Sequence, residues 1–298
     1  MKFVTIQIDN QNQLGVKTAR GILNITAAAR SGTSGSLPTT IHELIEGGAS
    51  ARQAVESYVS AAEADSGAEW LDAASVSYGP CVTRPEKIIC VGLNYRKHAE
   101  ETNAKIPEFP ILFNKFNNTL NGHGHDVELP VTSKEVDYEA ELAIVIGRRT
   151  KHVSEEQALD SVFGYASAND ISARDLQLRT NQWMLGKVCD GFTPIGPELV
   201  TADEIADPNQ LNIRTVVNGE ERQNSNTSDM IFNCKQIISY ISRHFTLEPG
   251  DIILTGTPEG VVLGYPPEKR VYLQPGDVVT VEIENLGSVT NKMVAENV

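Results

Sequence analysis

Cysteine is scarce in this sequence, and long uninterrupted hydrophobic runs are missing. The four cysteines stand at positions 81, 90, 189 and 234, a spacing that fits neither a zinc-binding pattern nor a dense disulfide framework. We therefore expect the reduced thiols of a cytoplasmic protein. The first residues alternate like a strand and lack the apolar core of a signal peptide, and no segment is apolar over the length that a membrane span needs.

Positive charge is also in short supply. The 298 residues include 25 Lys and Arg against 39 Asp and Glu, which gives a formal net charge of −14. Nucleic acids and anionic membranes bind through basic patches, so we expect neither as a partner. An anionic small molecule is not excluded, because one local cluster of Lys and Arg is enough to bind it.

Residues 1–80 are predicted to form a small N-terminal α+β domain. Short strands separated by polar turns are expected near residues 4–8, 14–18 and 21–25. Thr40, followed three residues later by Glu43, has the pattern of a capping box and predicts a short helix, and a second helix is expected to begin near Ser50.

A turn-rich linker at residues 78–85 leads into a second, larger domain over residues 86–298. Strand signals dominate this part, with few helices. One helix is expected to begin at Ser154 and to end near Gly164, and a longer one is expected to begin at Thr227 or Ser228. The predicted fold class for the whole chain is α+β and strand-rich.

Glu139 and Glu141 lie in residues 136–147, a β-branched and apolar run that predicts a strand. Because successive side chains of a strand point to opposite faces, both carboxylates are expected on one face. Two adjacent carboxylates beside a core strand repel each other, and a divalent cation would offset this repulsion. The alternative for this pair alone is an ordinary solvated strand face.

Asp170 is placed where it can join the two glutamates. Residues 162–170 predict a second strand that runs into a turn, with Asp170 at its end. Three carboxylates form an all-oxygen ligand set, which suits Mg²⁺, Mn²⁺ or Ca²⁺ and disfavours Zn²⁺. The spacing therefore supports a hypothetical site for a hard divalent ion.

The larger domain resembles the fumarylacetoacetate hydrolase family. The resemblance spans about residues 80–298 and is carried, in the family's order, by residues 88–101, 136–147, 169–177 and 247–261. It is closest to the shorter bacterial-type members, which include acylpyruvate hydrolases, oxaloacetate decarboxylases and hydroxymuconate-type isomerases. It implies a mixed β-sheet roll, the metal ligands Glu139, Glu141 and Asp170 with Mg²⁺ or Mn²⁺, and a homodimer that pairs through this domain.

His98 and Glu101 are three residues apart, so on a helix they share one face. A carboxylate beside an imidazole fixes its tautomer, which suits a general base. Surface pairs of this kind are common, but the resemblance places an activating His–Glu pair at this point, on a segment that orders over the substrate. Glu100 competes as a partner, although at two residues from His98 it faces away.

The remaining predicted active-site residues are one catalytic lysine and four substrate-binding groups. Lys187, among small and apolar residues, matches an active-site lysine of the family and would stabilise an oxyanion. Arg174 offers a fork for a carboxylate, or a surface salt bridge with Asp175 or Glu135 as the alternative. The other substrate-binding candidates are Gln177, Thr257 in a Gly-rich loop, and Lys115, which also matches a family lysine.

Two features set limits on these assignments. His123 and His125 form a His-x-His pattern without an obvious third ligand, which favours a polar loop rim over a zinc site. Leu93 stands where some related decarboxylases and hydrolases have Arg, and Asn94 lies near an additional Asp ligand of the longer hydrolases. We therefore expect a three-carboxylate site and leave the exact substrate open.

The resemblance implies a divalent-metal-dependent enzyme that acts on a small 2-oxo acid. The leading hypothesis is hydrolysis of the C3–C4 bond of a 2,4-dioxo acid of the acylpyruvate type, with His98 activating water. The alternatives are oxaloacetate decarboxylation and isomerisation of a 2-hydroxyhepta-2,4-diene-1,7-dioate-type diacid, since all three share an enolate. A catalytically silent metal-binding regulatory protein is the non-enzymatic alternative.

Overall fold

The computed structural model of the chain describes residues 1–32 and 36–297. The strands of the described residues are β1 (Lys2–Ile8), β2 (Gln11–Thr18), β3 (Gly21–Asn24), β4 (Ser77–Tyr78), β5 (Ile88–Gly92), β6 (Ile111–Lys115), β7 (Leu120–Asn121), β8 (Asp126–Leu129), β9 (Val136–Asp137), β10 (Ala140–Ile146), β11 (Val162–Asn169), β12 (Ser172–Ala173), β13 (Thr193–Pro194), β14 (Glu198–Thr201), β15 (Asn212–Val217), β16 (Glu220–Asn226), β17 (Ile252–Leu254), β18 (Val278–Ile283) and β19 (Gly287–Ala295). The α-helices are α1 (Ile25–Ser31), α2 (Ile41–Glu46), α3 (Gly48–Ala64), α4 (Arg96–Glu101), α5 (Arg174–Gln177), α6 (Met184–Lys187) and α7 (Cys234–His244). Short 3₁₀ helices lie at Asn117–Thr119, Ala158–Ser161, Ala202–Glu204, Thr227–Asp229, Val262–Gly264 and Pro267–Lys269.

The largest sheet is mixed and combines strands from both ends of the chain. Its order is β3-β2-β1-β14-β11-β10-β17-β5-β6, with β4 paired to β1, and β5 and β17 are parallel neighbours. Lys2 of β1 lies opposite Val200 of β14, so the first residues extend the sheet of the larger part. A second sheet has the order β16-β15-β18-β19-β8. The predicted strand-rich α+β class is confirmed, while the domain boundary near residues 80–86 stays a prediction.

Strand β10 lies at the centre of the large sheet and is buried on both faces. Ala143 and Val145 pack into one hydrophobic cluster, which includes residues of the N-terminal helices. Leu142 and Ile144 pack on the opposite face with residues of α7 and the five-stranded sheet. An uninterrupted apolar run, here residues 142–146, is typical of a strand in a sheet covered on both sides. The two clusters hold β10 rigidly, and its first residues carry the carboxylates described below.

Several local predictions differ from the structure. The continuous strand over residues 136–147 is wrong, because Tyr138 and Glu139 interrupt it between β9 and β10. The helix expected from Ser154 is also wrong: the chain forms only the 3₁₀ turn at Ala158–Ser161, because β11 must begin at Val162 to pair with β10. Helix α1 was not expected, and its N-cap is Asn24, whose side chain accepts a hydrogen bond from the Ala27 backbone N–H.

The helices near residues 40 and 230 show how side-chain caps decide where a helix begins. Thr40 caps α2 as predicted, since its side chain accepts from the Glu43 backbone N–H. The helix expected from Thr227 instead begins at Cys234, where Asn233 and Gln236 form a capping box. Within the described residues no helix is both long enough and apolar enough to cross a membrane.

Candidate active site

Three buried carboxylates meet at one end of the large sheet. Glu139 precedes β10, Glu141 is its second residue, and Asp170 follows the last residue of β11. The backbone N–H of Asp170 donates to the carbonyl of Glu139 at 2.9 Å, which makes these two residues cross-strand neighbours. One oxygen from each of the three lies within 4.8 Å of the others, and each residue is at most 5% exposed. The geometry therefore forms the three-carboxylate cluster predicted from the spacing.

Two lysines lie directly on this cluster. Lys187 Nζ donates to Glu139 Oε2 at 2.7 Å and to Asp170 Oδ2 at 2.8 Å, and it lies 5.1 Å from the centre of the Phe113 ring. Lys115 Nζ forms an ion pair with Asp170 Oδ1 and donates to the Phe192 carbonyl at 2.8 Å. Both lysines are about 2% exposed, so their charges are held in the interior by these carboxylates.

Arg174 is buried, and its partners are Asp137, Glu139 and Gln177. Its Nε donates to Asp137 Oδ2 at 2.9 Å, and one terminal nitrogen lies 2.7 Å from Glu139 Oε1 as an ion pair. Its other terminal nitrogen donates to Gln177 Oε1 at 2.9 Å. The alternative of a surface salt bridge with Asp175 or Glu135 is therefore wrong. The guanidinium fork is already bound within the protein, so any role of Arg174 in binding a substrate carboxylate stays a prediction.

Sequence reasoning missed Asp137, which organises this part of the site. It is fully buried, and besides Arg174 it accepts hydrogen bonds from the backbone N–H groups of Tyr138, Val262 and Leu263 at 2.9–3.0 Å. Its carboxylate thus connects the carboxylate-bearing segment to the loop after β17. An acidic residue inside an apolar strand sequence was the signal that could have identified it.

The charges of the cluster produce opposite pKa shifts in the two glutamates. Burial and the adjacent charges of Asp170 and Glu139 raise the pKa of Glu141 well above its usual value. Burial would also raise the pKa of Glu139, but the charges of Lys187 and Arg174 outweigh it and lower that pKa to about 2. Despite its burial, the same carboxylates raise the pKa of Lys187.

The cluster is one cation short. If all groups are ionised, four buried carboxylates face three buried cations; these are Asp137, Glu139, Glu141 and Asp170 against Lys115, Arg174 and Lys187. Among the described residues no Lys or Arg forms an ion pair with Glu141, whose Oε2 accepts only the Gly256 backbone N–H, at 2.7 Å. Clustered carboxylate oxygens fit a hard divalent ion such as Mg²⁺ or Mn²⁺, which would leave a net positive site for an anion.

His98 and Glu101 lie together on α4, beside the carboxylate cluster. His98 Nδ1 lies 2.7 Å from Glu101 Oε1, and the other carboxylate oxygen accepts from the Gly260 backbone N–H at 2.9 Å. A Cβ atom on Gly264 would lie 2.4 Å from the Glu101 carboxyl carbon, so only glycine lets this carboxylate pack there. Glu101 therefore holds the Nδ1 side of the ring, while His98 itself lines the cavity.

Thr257 and Gln177 each have their acceptor oxygen occupied by a neighbouring donor. Thr257 Oγ1 accepts from the Gln223 amide at 2.9 Å, and Gln177 Oε1 accepts from Arg174. The Thr257 hydroxyl hydrogen and the Gln177 amide hydrogens are thus left to face the cavity, which both residues line. Gln223, another residue that sequence reasoning missed, also accepts from the Ala140 backbone N–H at 2.9 Å and so connects the loop to β10.

The side chains that limited the sequence-based assignment take structural roles. His123 accepts a hydrogen bond from the Thr290 backbone N–H and His125 lies beside Ser77, and among the described residues neither belongs to a group of side chains that could hold a metal ion. Asn94 is fully buried and forms hydrogen bonds with Phe232 and with the Thr255 carbonyl. It thus ties the loop after β5 to two other segments.

A cavity of about 200 Å³ opens above the cluster. Its polar lining consists of Glu139, Glu141, Arg174, Lys187, His98, Thr257 and Gln177, and most of the remaining lining is apolar. Because a water molecule occupies roughly 30 Å³ of liquid, the volume corresponds to about seven waters. The cavity is therefore of the right size for a small organic acid.

Comparisons with known proteins agree with this architecture. Residues 87–294 match the family model described as fumarylacetoacetate (FAA) hydrolase C-terminal. The chain is 47% identical to the protein named oxaloacetate tautomerase fahd2, mitochondrial, of Xenopus laevis, over 87% of this chain and 80% of the relative.

Solved structures are similar over the whole chain, and two of them are described here. Maleylpyruvate hydrolase from Sphingobium sp. SYK-6, in complex with manganese(II) and pyruvate, has a TM-score of 0.80 at 30% identity. The 5-carboxymethyl-2-hydroxymuconate delta-isomerase from Mycobacterium smegmatis has a TM-score of 0.75 at 32% identity, and both alignments cover 100% of each chain. The family match spans well over half of the sequence and includes all of the residues that form the site. The chain is an enzyme of the fumarylacetoacetate hydrolase family.

Proposed function

We propose that this protein is a divalent-metal-dependent enzyme that catalyses keto–enol tautomerisation of a small 2-oxo acid. The observation that carries the proposal is the buried cluster of Glu139, Glu141 and Asp170 with Lys187 at the base of a cavity that His98 also lines. The relatives named oxaloacetate tautomerases make oxaloacetate the first substrate to test. Tautomerisation was not among the reactions expected from the sequence.

The three carboxylates would hold the metal ion. When bound, a Mg²⁺ or Mn²⁺ ion would supply Lewis-acid stabilisation of negative charge on the oxygens of the 2-oxo acid. Lys187 adds to this stabilisation, since two of its three N–H groups are used by Glu139 and Asp170 and the third is left for a substrate oxygen.

Two further donors would orient the substrate carboxylate. The Thr257 hydroxyl and the Gln177 amide point hydrogens toward the cavity because their oxygens already accept bonds from Gln223 and Arg174. Donors that are oriented before binding need no reorganisation when the anion enters. Arg174 would act by holding Glu139 and Gln177 in place, and its guanidinium would not bind the substrate carboxylate directly.

His98 would move the proton. With its Nδ1–H donated to Glu101, Nε2 carries the lone pair and can remove a proton from C3 of the keto acid. The electron pair of the broken C–H bond forms the C2–C3 double bond, and the carbonyl oxygen takes the proton that His98 Nε2 received from C3, which gives the enol. The reverse sequence returns the keto form, so atoms and charge balance without water as a reactant.

Hydrolysis of an acylpyruvate is the second candidate, and it matches the leading expectation from the sequence. The same His98–Glu101 pair could deprotonate a water molecule for attack at C4, and the maleylpyruvate hydrolase structure is similar over the full chain. Oxaloacetate decarboxylation and diene-dioate isomerisation would begin from the same arrangement. A silent metal-binding protein would keep the cluster but turn over none of these compounds.

A substrate panel separates the candidates. The purified protein is incubated with Mg²⁺ or Mn²⁺ and enol oxaloacetate, the loss of enol absorbance is followed, and pyruvate is measured separately. We expect faster enol–keto interconversion without matching pyruvate release. Pyruvate release from an acylpyruvate, with no effect on oxaloacetate interconversion, would instead establish the hydrolase, and pyruvate formed from oxaloacetate would indicate a decarboxylase.

A further inference from the structure

The cavity has two chemically different sides. One is the charged and polar side already described. The other is apolar and is called the apolar wall here; the side chains that form it are Val91, Leu93, Phe113, Leu178, Trp183 and Leu263, of which Phe113 also lies 5.1 Å from Lys187 Nζ. Nothing in the proposed proton transfer uses this wall. Its residues must therefore either exclude water or contact a part of the substrate that does not react.

The wall offers no free positive charge. Among the described residues that line the cavity, the cations are Arg174 and Lys187, and both are bound to the buried carboxylates. Of the cations that are near the wall in sequence, Arg96 and Arg179 are exposed and Lys115 is paired with Asp170, and none of the three lines the cavity. A second carboxylate placed against the wall would lose hydration without gaining a partner, which is unfavourable.

Trp183 limits how far the apolar wall extends. Its ring packs over Gly92, where an added Cβ would lie 2.3 Å from Cζ3, and its edge meets the Phe113 ring at a centroid distance of 5.7 Å and an angle of 72°. The missing side chain at Gly92 and the T-shaped contact fix the indole in place. The indole is thus a fixed part of the cavity lining.

We propose that the apolar wall is a second substrate subsite, which takes a short uncharged apolar group at the end of the 2-oxo acid remote from its carboxylate, and that Trp183 sets the length of that group. The inference rests on the proposed function for the position of the 2-oxo acid itself. Oxaloacetate has no apolar group to place there, so 2-oxo acids with an apolar end are expected to bind more tightly.

Binding calorimetry with the Mg²⁺-loaded protein tests the subsite without relying on turnover. The ligands are the unbranched 2-oxo acids from 2-oxobutanoate to 2-oxoheptanoate. 2-Oxoglutarate is compared with 2-oxopentanoate, because the two differ only in having a carboxylate or a methyl group at the end of the chain. Affinity should rise about fourfold for each buried methylene and then stop rising. 2-Oxopentanoate should bind about tenfold or more tightly than 2-oxoglutarate.

Two variants test the assigned residues. Trp183→Ala should move the point at which affinity stops rising to longer ligands, and Trp183→Phe should give an intermediate limit. Leu93→Arg should reverse the preference between 2-oxopentanoate and 2-oxoglutarate, because it places a cation on the wall. Val271→Arg is the matched control: Val271 is 68% exposed and does not line the cavity, so the same added charge should leave the preference unchanged.

The outcomes distinguish the subsite from the proposed function. The subsite would be overturned, even if oxaloacetate is tautomerised, by either of two results. One is that 2-oxoglutarate binds as tightly as 2-oxopentanoate or more tightly. The other is that Trp183→Ala does not change the ligand length at which affinity stops rising. A length-dependent affinity that shifts in Trp183→Ala would support the subsite even if the parallel oxaloacetate assay shows no turnover. Failure of every 2-oxo acid to bind the Mg²⁺-loaded protein would overturn both.

Discussion

Replacing Glu101 with Gln should disable His98 without altering the cavity wall. Glu101 serves two donors at once, the His98 Nδ1–H at 2.7 Å and the Gly260 backbone N–H at 2.9 Å, with one carboxylate oxygen each. Glutamine has a single acceptor oxygen. If that oxygen faces Gly260, the amide NH₂ faces Nδ1 and favours the tautomer with the proton on Nε2, which cannot act as a base.

The opposite orientation of the amide is also unfavourable. With the amide oxygen on His98, the amide NH₂ would point at the Gly260 N–H, and leaving a buried donor unpaired costs about 1–3 kcal/mol. The packing of Gly264 against this carboxylate leaves little room for the side chain to move away. Since general-base catalysis contributes on the order of 10²–10⁴ in rate, we expect Glu101→Gln to lower kcat within that range.

Exchange of the substrate C3 proton with D₂O, followed by NMR across a pH series, measures the step directly. Glu101 does not line the cavity, so KM should change little while kcat falls and its pH profile changes. Glu100→Gln is the matched control, because Glu100 is exposed and forms no hydrogen bond with His98 in the structure. A parent-like exchange rate in Glu101→Gln would refute the assignment of His98 as the base oriented by Glu101.

Other predictions concern the metal, the buried network and the assembly. EDTA should abolish activity and Mg²⁺ or Mn²⁺ should restore it; activity retained after complete metal removal would contradict a metal-dependent reaction. Metal binding should stabilise the parent protein by about 2.7 kcal/mol when the free metal concentration is one hundred times Kd. Thermal melts of Glu139→Gln, Glu141→Gln and Asp170→Asn should lack this stabilisation. Parent-like melts would show that the metal binds elsewhere. Asp137→Asn should lower the free energy of unfolding by about 3–5 kcal/mol in urea titrations, because Arg174 loses its charged partner, and a change below about 1 kcal/mol would show that this pair is dispensable. Light scattering should give about twice the 32.4 kDa chain mass, with a monomer as the contradicting result.

The sequence determined the features that depend on neighbours along the chain. The β-branched and apolar content of residues 136–147 predicted a strand, and the structure forms one over Ala140–Ile146 with both faces buried. Spacing alone placed Glu139 and Glu141 on one side and Asp170 at the end of the next strand, and their oxygens meet within 4.8 Å. The cap at Thr40 was also local and was predicted correctly.

Competing local signals account for the errors. Thr227 has a good capping side chain, but its hydroxyl donates to the Pro208 carbonyl and accepts from the Leu211 N–H. The next residues are held by Asn94, whose carbonyl accepts from the Ile231 N–H, so the helix is delayed until Asn233 can cap it. These contacts join segments that are far apart in sequence, and no local pattern reports them.

Tertiary structure alone decided how the charges are paired. Lys115 and Lys187 reach Asp170 across 55 and 17 residues, and Arg174 lies on Asp137 instead of facing solvent. A sequence shows how many charges a chain has, but burial removes the water that would otherwise screen them, so each buried charge must find a partner in space. The sheet order places the start of β10 beside the ends of β11, β17 and β5. This arrangement brings the separate carboxylates and lysines into one site.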